Sequence, residues 1–203
     1  MEEPLRQRWL VVLMLAVACG GGRAAPPSPD TTPATRPPDL TGRAVMVLPA
    51  QAGPGAAMAQ EPVPGLDREI AYWLAERGPR VRWVFPPLIQ RAVERSPSLG
   101  IDLHAMPVAS FHVARVENIG DPLFGQLHAL ANLVDARWAL VPVAAEYKPD
   151  GAGSGRVEIM VALIDTMGGR VLWLGAVAGQ PGAQGSTGVA ASAAGALAQR
   201  VTG

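Results

Sequence analysis

Hydrophobic positions divide the chain into three parts. Residues 9–17 (WLVVLMLAV) form an unbroken apolar run, and residues 20–42 follow with six prolines and few large apolar side chains. From residue 43 onward, apolar residues recur either in short runs or at a spacing of three to four, which is typical of strands and helices. The pattern therefore predicts a folded domain over residues 43–203, preceded by two segments of a different kind.

The first half of this domain alternates between strand and helix patterns. Residues 44–49 (AVMVLP) and 81–85 (VRWVF) are short apolar runs typical of buried strands. Three helices are predicted from apolar residues at helical spacing: Leu66, Ile70, Trp73 and Leu74 before Gly78-Pro79; Leu88, Ile89, Ala92 and Val93 between Pro86-Pro87 and Pro97; and Leu123, Leu127, Leu130 and Val134 after Asp121-Pro122. Residues 98–120 have a weak pattern and are predicted as loop or weak helix.

The second half is predicted as three strands and a last helix. The strands are residues 136–147, 156–165 and 170–177, the last two joined by a Gly-containing turn at residues 166–169 where Asp165 accepts backbone hydrogen bonds. Residues 179–188 are predicted as a flexible link, and the Ala-rich residues 189–201 as a helix. This order indicates an α/β fold, a single mixed-sheet domain with helices packed on the sheet and a late antiparallel hairpin.

The apolar run at the start is too short to span a bilayer, which takes about 20 helical residues. Arg6 and Arg8 precede it and small residues follow it, as in a secretory signal peptide. The segment Ala16-Val17-Ala18-Cys19-Gly20 resembles a bacterial lipobox, in which the cysteine becomes the first mature residue and carries acyl chains such as palmitate. The alternatives are an ordinary cleaved signal peptide, with Cys19 lost or left as an inert thiol, and a lone membrane-spanning anchor.

The lipobox resemblance implies a signal peptide over residues 1–18, lipidation of Cys19, and a membrane contact through that anchor. Gly20 rather than aspartate follows the cysteine, which by the sorting rule of enteric bacteria implies the outer membrane, with the domain facing the periplasm. Residues 19–42 cannot bury enough apolar surface to offset the entropy of ordering, so they are predicted as an extended tether.

Three patterns of the domain resemble a family of envelope proteins: the opening strand AVMVLP, the passage LHALANLVDARWALVPV and the hairpin VALIDTMGGRVLWLG. Together they are similar to the amino-terminal domain of TolB and the related CsgG-type envelope lipoproteins, with Asp165, Gly169, Leu172 and Trp173 at the corresponding hairpin positions. The chain has neither the propeller repeats of TolB nor the long inserted hairpins of CsgG-type pores. The resemblance therefore implies a fold and a compartment, and no pore or partner.

Composition excludes several function classes. Basic and acidic residues number 17 each and give a net charge of 0, whereas proteins that bind nucleic acid generally need a basic excess. Cys19 is the only cysteine, so neither an internal disulfide nor a cysteine-based metal site can form. We therefore expect no nucleic-acid partner, no metal and no cofactor.

Candidate catalytic groups do not form a recognisable motif. The three histidines, His104, His112 and His128, lack the spacing of a helical zinc site, and Ser110 with His112 is not a nucleophile–base pair by sequence alone. The glycine-rich residues 151–155 lack the lysine of a phosphate loop and are predicted as a hairpin linker. Two possible carboxylate pairs are Asp135 with Glu146 and Glu158 with Asp165. All four residues are interpreted as ordinary strand-end or strand-face residues.

Two further groups leave a binding interpretation open. Trp73, Trp83, Trp138 and Trp173 lie in apolar segments, which favours a place in the core over an aromatic ligand platform. Arg77, Arg80 and Arg82 form a small basic patch that is either solvated or in contact with lipid headgroups or anionic glycans.

The sequence thus predicts a lipid-anchored envelope protein that acts as a non-catalytic structural, assembly or protein-interaction module with an envelope protein as partner. A periplasmic receptor for a small ligand or glycan is the second hypothesis, and an exported enzyme is the third.

Overall fold

The computed structural model describes residues 35–52, 63–113, 116–151 and 153–203. Within these ranges the elements are, in chain order, β1 (Ala44–Val47), α1 (Leu66–Arg77), β2 (Arg82–Val84), α2 (Pro86–Glu94), α3 (Leu123–Val134), β3 (Trp138–Pro149), β4 (Gly155–Asp165), β5 (Arg170–Ala178) and α4 (Thr187–Thr202). Two short 3-10 turns, Pro97–Leu99 and Ala109–His112, lie between α2 and α3. The predicted α/β fold is confirmed.

The strands form one mixed sheet in the order β2-β1-β3-β4-β5. Strand β1 is parallel to β2 on one side and to β3 on the other, while β4 is antiparallel to both β3 and β5. Parallel neighbours need a crossover, which α1 and the longer passage through α2 and α3 supply, whereas antiparallel neighbours need only a tight turn. The predicted late hairpin is therefore the β4–β5 pair.

One face of the sheet is covered by α2, α3 and the chain between them. Leu123, Leu127 and Leu130 of α3 are buried there, as the helical spacing predicts. The weakly patterned residues 98–120 contribute more to this core than the sequence analysis expects, and the buried residues among them are Ile101, Leu103, Met106, Val108, Phe111, Val116 and Ile119.

The prediction that Leu88 faces inward is wrong, because Leu88 is 48% exposed. Ile89, Ala92 and Val93 of α2 are buried, and their spacing of three and four residues keeps them on one side of the helix. Leu88 precedes this set by one residue, which is about 100° around the helix and directs its side chain away from the sheet.

The opposite face is covered by α1 and α4. Leu66, Ile70 and Leu74 of α1 and Ala193, Ala194 and Leu197 of α4 are buried against the sheet, with Trp173 of β5 enclosed among them. Leu40, which precedes β1, is also buried in this cluster. Because helices cover both faces, the central strands are apolar on both sides and read as continuous hydrophobic runs.

The turn between β4 and β5 has the predicted chemistry. The Asp165 carboxylate accepts the backbone N–H of Met167 at 3.1 Å, and the Asp165 carbonyl accepts that of Gly169 at 2.8 Å. Gly169 has a φ of +69°, which glycine adopts without steric cost. At the start of α3, the Asp121 carboxylate accepts the N–H of Gly125 at 3.0 Å.

The residues predicted as a flexible link, 179–188, are partly bound to the sheet, so that prediction is wrong for Gly179 and Gly182. The Gly179 N–H donates to the Val157 carbonyl at 2.9 Å. Gly182 and Gly155 exchange two backbone hydrogen bonds of 2.8 and 3.0 Å, and the Tyr147 hydroxyl donates to the Gly182 carbonyl at 3.0 Å. Glycines allow this close approach because they carry no Cβ atom.

Candidate functional site

Cys19, the predicted lipidation site, lies outside the described residues, as do the predicted signal peptide and most of the predicted tether. Within the described part of the chain, none of the helices combines the length and the apolar character that crossing a bilayer requires. The candidate chemistry that the structure does place belongs to histidines, carboxylates and arginines.

The three histidines play separate local roles. His128 is partly buried on α3, and its Nδ1 donates to the Thr166 carbonyl at 3.1 Å, while its ring lies 5.8 Å from that of Phe124. His104 is exposed, and His112 ends a 3-10 turn. No group of three or more metal-ligating side chains occurs among the described residues.

Three of the four carboxylates that were considered as pairs, Asp135, Glu158 and Asp165, form ion pairs with basic residues instead. Asp165 Oδ2 lies 3.1 Å from Arg137 Nη2, and Glu158 Oε2 lies 2.6 Å from Lys148 Nζ. The hydrogen bond and the negative charge of Glu158 raise the pKa of Lys148 above its usual value. These contacts stabilise strand ends and give neither carboxylate the environment of a general acid or base.

Arg82, the third member of the predicted basic patch, does not lie with the other two. Its guanidinium is 2.9 Å from the Asp135 carboxylate and also donates to the Asp135 carbonyl. Asp135 ends α3 in the left-handed conformation, with φ of +50°. Arg82 thus connects the edge strand β2 to the end of α3.

Arg77 and Arg80 instead line a cleft, which we call the arginine cleft. Its volume is about 950 Å³, and it lies between the C-terminal ends of α1 and α4 and the chain that leads into β1. The charged residues that line it are four arginines and one aspartate: Arg36, Arg77, Arg80, Arg200 and Asp39. A protein with no net charge therefore concentrates positive charge in one concave surface.

Two of the four guanidiniums have a hydrogen-bond or cation–π partner among the described residues. That of Arg77 lies over the indole of Trp73, 5.3 Å from the ring centroid, and Arg200 Nη2 donates to the Thr35 carbonyl at 3.1 Å. Both residues are in the last turn of a helix, where a cation also interacts favourably with the helix dipole. Arg36 and Arg80 are exposed and lie outside the helices.

Asp39 is the acidic residue of the cleft. Its carboxylate accepts the Thr41 backbone N–H at 2.9 Å, and this bond, the Thr41 hydroxyl and the charges of Arg80 and Arg43 lower its pKa. Asp39 is therefore ionised at neutral pH and offsets one of the four positive charges. No carboxylate of the described residues lies within ion-pair distance, 4.0 Å, of the four guanidiniums.

The tryptophans occupy the core, as the sequence predicts. Trp173 is buried, and Trp73, Trp83 and Trp138 are partly buried against the same cluster. Arg43 lies over Trp138 at 5.1 Å, which covers the outer face of that ring. No stacked platform of tryptophan side chains forms among these four residues, since Trp83 stacks on Phe85.

The sequence indicates two of the four arginines of the cleft. Arg77 and Arg80 are adjacent to a helix end and stand out as a cluster, whereas Arg36 and Arg200 are 164 positions apart in the chain. The only signal for Arg200 is a basic residue in the last turn of a helix, which is too common to indicate a site. Arg36 lies in the proline-rich segment and gives no signal.

No family model matches the sequence, and no curated protein matches it. Among solved structures, a PelC dodecamer from Paraburkholderia phytofirmans is similar over 83% of this chain and 92% of its own, with 19% identity and a TM-score of 0.47. The LpoB C-terminal domain from Salmonella enterica matches 70% of this chain and 84% of its own, with 15% identity and a TM-score of 0.43. Lipoprotein GNA1162 from Neisseria meningitidis matches 78% of this chain and 97% of its own, with 13% identity and a TM-score of 0.45.

Proposed function

We propose that this chain is a lipid-anchored protein of the bacterial cell envelope, in which the α/β domain acts as a non-catalytic interaction module. The observation that carries the proposal is the position of Cys19, directly after an apolar run of signal-peptide length and directly before a proline-rich segment. Acyl chains on that cysteine would hold the protein at the outer membrane, with the domain in the periplasm, because two or three chains anchor stably where one does not.

The side-chain contacts of the domain support a binding role. Asp135, Glu158 and Asp165 are engaged in ion pairs with arginine or lysine, and the one partly buried histidine on α3 donates to a backbone carbonyl. The arginine cleft, in contrast, presents four guanidiniums that lie beyond ion-pair distance of the carboxylates of the described residues, with Asp39 offsetting one of the four charges. We therefore place the interaction with a structural or assembly partner of the envelope at that surface.

The anchor is tested by radiolabelled palmitate incorporation in cells. We expect the wild-type protein to carry label and to fractionate with membranes, and Cys19→Ala to carry none. Gly20→Ala is the matched control, since it keeps both the cysteine and a small neighbour and is expected to retain the label. Equal labelling of wild type and Cys19→Ala, or a mature amino terminus downstream of residue 19 by mass spectrometry, would contradict the proposal.

The volume of the cleft favours one alternative, a periplasmic receptor for a small ligand or glycan. Cavities that bind small molecules measure roughly 300–1,000 Å³, and the arginine cleft falls within this range. A ligand at 100 times its dissociation constant is expected to raise the melting temperature by about 5–10 °C. A thermal-shift series with muropeptides and polysaccharides therefore distinguishes the two functions, because the interaction module predicts no shift with any of them.

A further inference from the structure

The arginine cleft contains more positive charge than the fold needs. Arg77 and Arg200 lie at helix ends, where the helix dipole accounts for their positions. Arg36 and Arg80 lie on neither helix, and among the described residues their side chains form no hydrogen bond or ion pair, although the charge of Arg80 acts on Asp39. A cleft that gathers four guanidiniums and a single side-chain carboxylate has a cost of mutual repulsion, which an anion between them would reduce.

The donors of these arginines indicate the chemistry of that anion. Each guanidinium has five N–H donors in a planar fork, and Arg200 uses one of them on the Thr35 carbonyl. Arg77 lies over the Trp73 ring, and a cation–π contact of this kind does not use an N–H donor on an oxygen acceptor. Planar forks with unused donors bind phosphate in a bidentate manner, and a phosphate also carries enough charge to match several arginines.

The chain that leads into the cleft indicates the source of the phosphate. Residues 36–41 line the cleft, and Arg36 follows Cys19 by 17 residues. Seventeen residues span at most about 60 Å when fully extended. An anchor at Cys19 therefore leaves the cleft within reach of the headgroups of the membrane that holds it.

We propose that the arginine cleft binds phosphate groups, and that anionic lipid headgroups at the anchoring membrane supply them. The lipid source rests on the proposed anchoring at Cys19, whereas phosphate binding by the cleft does not. The contact would orient the domain, with the ends of α1 and α4 toward the bilayer and the opposite edge of the domain toward the periplasm.

The test compares two double variants of the full-length chain, both in a Cys19→Ala background so that no anchor contributes. Arg36→Gln with Arg80→Gln removes two charges from the cleft. Arg91→Gln with Arg95→Gln removes two charges from exposed positions at the end of α2, on the other side of the sheet. Residues 1–34 are the same in all proteins, so their contribution to vesicle binding cancels in the comparison.

Binding is measured by co-sedimentation with vesicles of phosphatidylcholine containing increasing phosphatidylglycerol, and by NMR titration of arginine Nε–H signals with glycerol phosphate and with inorganic phosphate. We expect the cleft variant to bind anionic vesicles about 30-fold more weakly at low salt, since each basic residue near such a surface contributes about a factor of five. The α2 variant should differ from its parent by less than threefold, and the Arg36 and Arg80 signals should shift in the titration.

Each other outcome overturns a defined part of the proposal. Equal losses in the two double variants, or no shift of the arginine signals with either phosphate, would overturn the phosphate site. If the arginine signals shift with glycerol phosphate but the cleft variant binds vesicles as tightly as its parent, the lipid source is overturned and a soluble phosphate ester remains as the ligand. Phosphate binding in a protein that takes up no palmitate label at Cys19 would overturn the anchor and confirm the site.

Discussion

Replacing Gly179 with alanine is expected to lower the free energy of unfolding by about 3 kcal/mol, the upper part of the range for overpacked sites. A Cβ atom on Gly179 would lie 2.5 Å from Ser192 Oγ, 2.7 Å from the Ala193 nitrogen and 3.0 Å from the Ala193 Cα. Two of these atoms belong to the backbone of α4, so no side-chain rotation relieves the contact. The helix would have to move away from the sheet.

This displacement would reach beyond the contact itself. Ser192 Oγ accepts the Gln180 N–H at 2.9 Å and donates to the Val189 carbonyl at 2.9 Å, and both bonds depend on its present position. Ala193, Ala194 and Leu197 are fully buried on the same helix and would lose part of their packing. Steric overlap therefore causes the loss, since Gly179 lies outside the left-handed region that favours glycine.

Gly188→Ala is the matched control. Gly188 is in the first turn of the same helix, and a Cβ atom there meets nothing within 4 Å. Alanine loses less backbone entropy than glycine in a helix, so we expect this variant to gain about 0.4–1 kcal/mol. Urea denaturation of the wild type and both variants measures the three free energies of unfolding. A Gly179→Ala variant as stable as the wild type would show that α4 does not pack closely on the sheet.

The elements that the sequence predicts correctly are those with a strong period or a sharp boundary. Helix α3 shows four apolar residues at spacings of four, three and four, and the β4–β5 hairpin has strands on either side of a turn that requires Gly169. Helices on both faces of the sheet make its central strands continuously apolar, which the sequence displays directly. The α/β class follows from these patterns together with their order.

Residues 98–120 show what periodicity does not reveal. Their buried side chains, such as Leu103, Met106 and Phe111, are held in irregular backbone with two 3-10 turns, and irregular backbone imposes no period on the apolar positions. The prediction of a flexible link is wrong at Gly179 and Gly182 for a related reason. Glycine is typical of flexible links, but it is also required where two backbones approach closely. Only the neighbours in space decide between the two.

The candidate functional residues also differ in whether a local sequence pattern can indicate them. Cys19 is predicted from a local motif and lies outside the described residues, so its lipidation stays a prediction. The arginine cleft is formed by residues that precede β1, by the end of α1 and the turn after it, by the end of β5 and by the end of α4. A local patch can indicate Arg77 and Arg80, but their association with Arg36 and Arg200 depends on tertiary structure. Arg82 belongs to the same patch in sequence and is directed to Asp135 instead.

Gln51 is a buried polar residue whose importance the sequence does not indicate. Its side chain is 2% exposed and makes three hydrogen bonds: Nε2 donates to the Pro49 carbonyl at 2.7 Å and to the Leu103 carbonyl at 2.9 Å, and Oε1 accepts the Met106 N–H at 2.9 Å. The Gln51 N–H donates to the Pro142 carbonyl of β3 at 2.9 Å. Gln51 therefore connects the irregular segment around residues 103–106 to the central sheet.

We expect Gln51→Leu to lower the free energy of unfolding by about 3 kcal/mol, since each buried backbone group left without a partner costs about 1–3 kcal/mol. Leucine has a volume close to that of glutamine, so the loss comes from the unpaired Leu103 and Met106 groups rather than from a cavity. Hydrogen exchange should show the mechanism: the Met106 amide, which loses its acceptor, should exchange faster than the amides of α4, where both proteins have the same bonds.

Gln90→Leu makes the same chemical change at an exposed site on α2, where the side-chain amide donates to the Glu94 carboxylate at 3.1 Å. A surface change of this kind is expected to alter the free energy of unfolding by no more than about 0.5 kcal/mol. If Gln51→Leu were as mild, or if Met106 exchange did not change, the segment over this face would be held by its apolar side chains alone. The predicted difference arises because the Leu103 carbonyl and the Met106 N–H lie in buried, irregular backbone. They depend on the Gln51 side chain for the partners that a helix or sheet would supply.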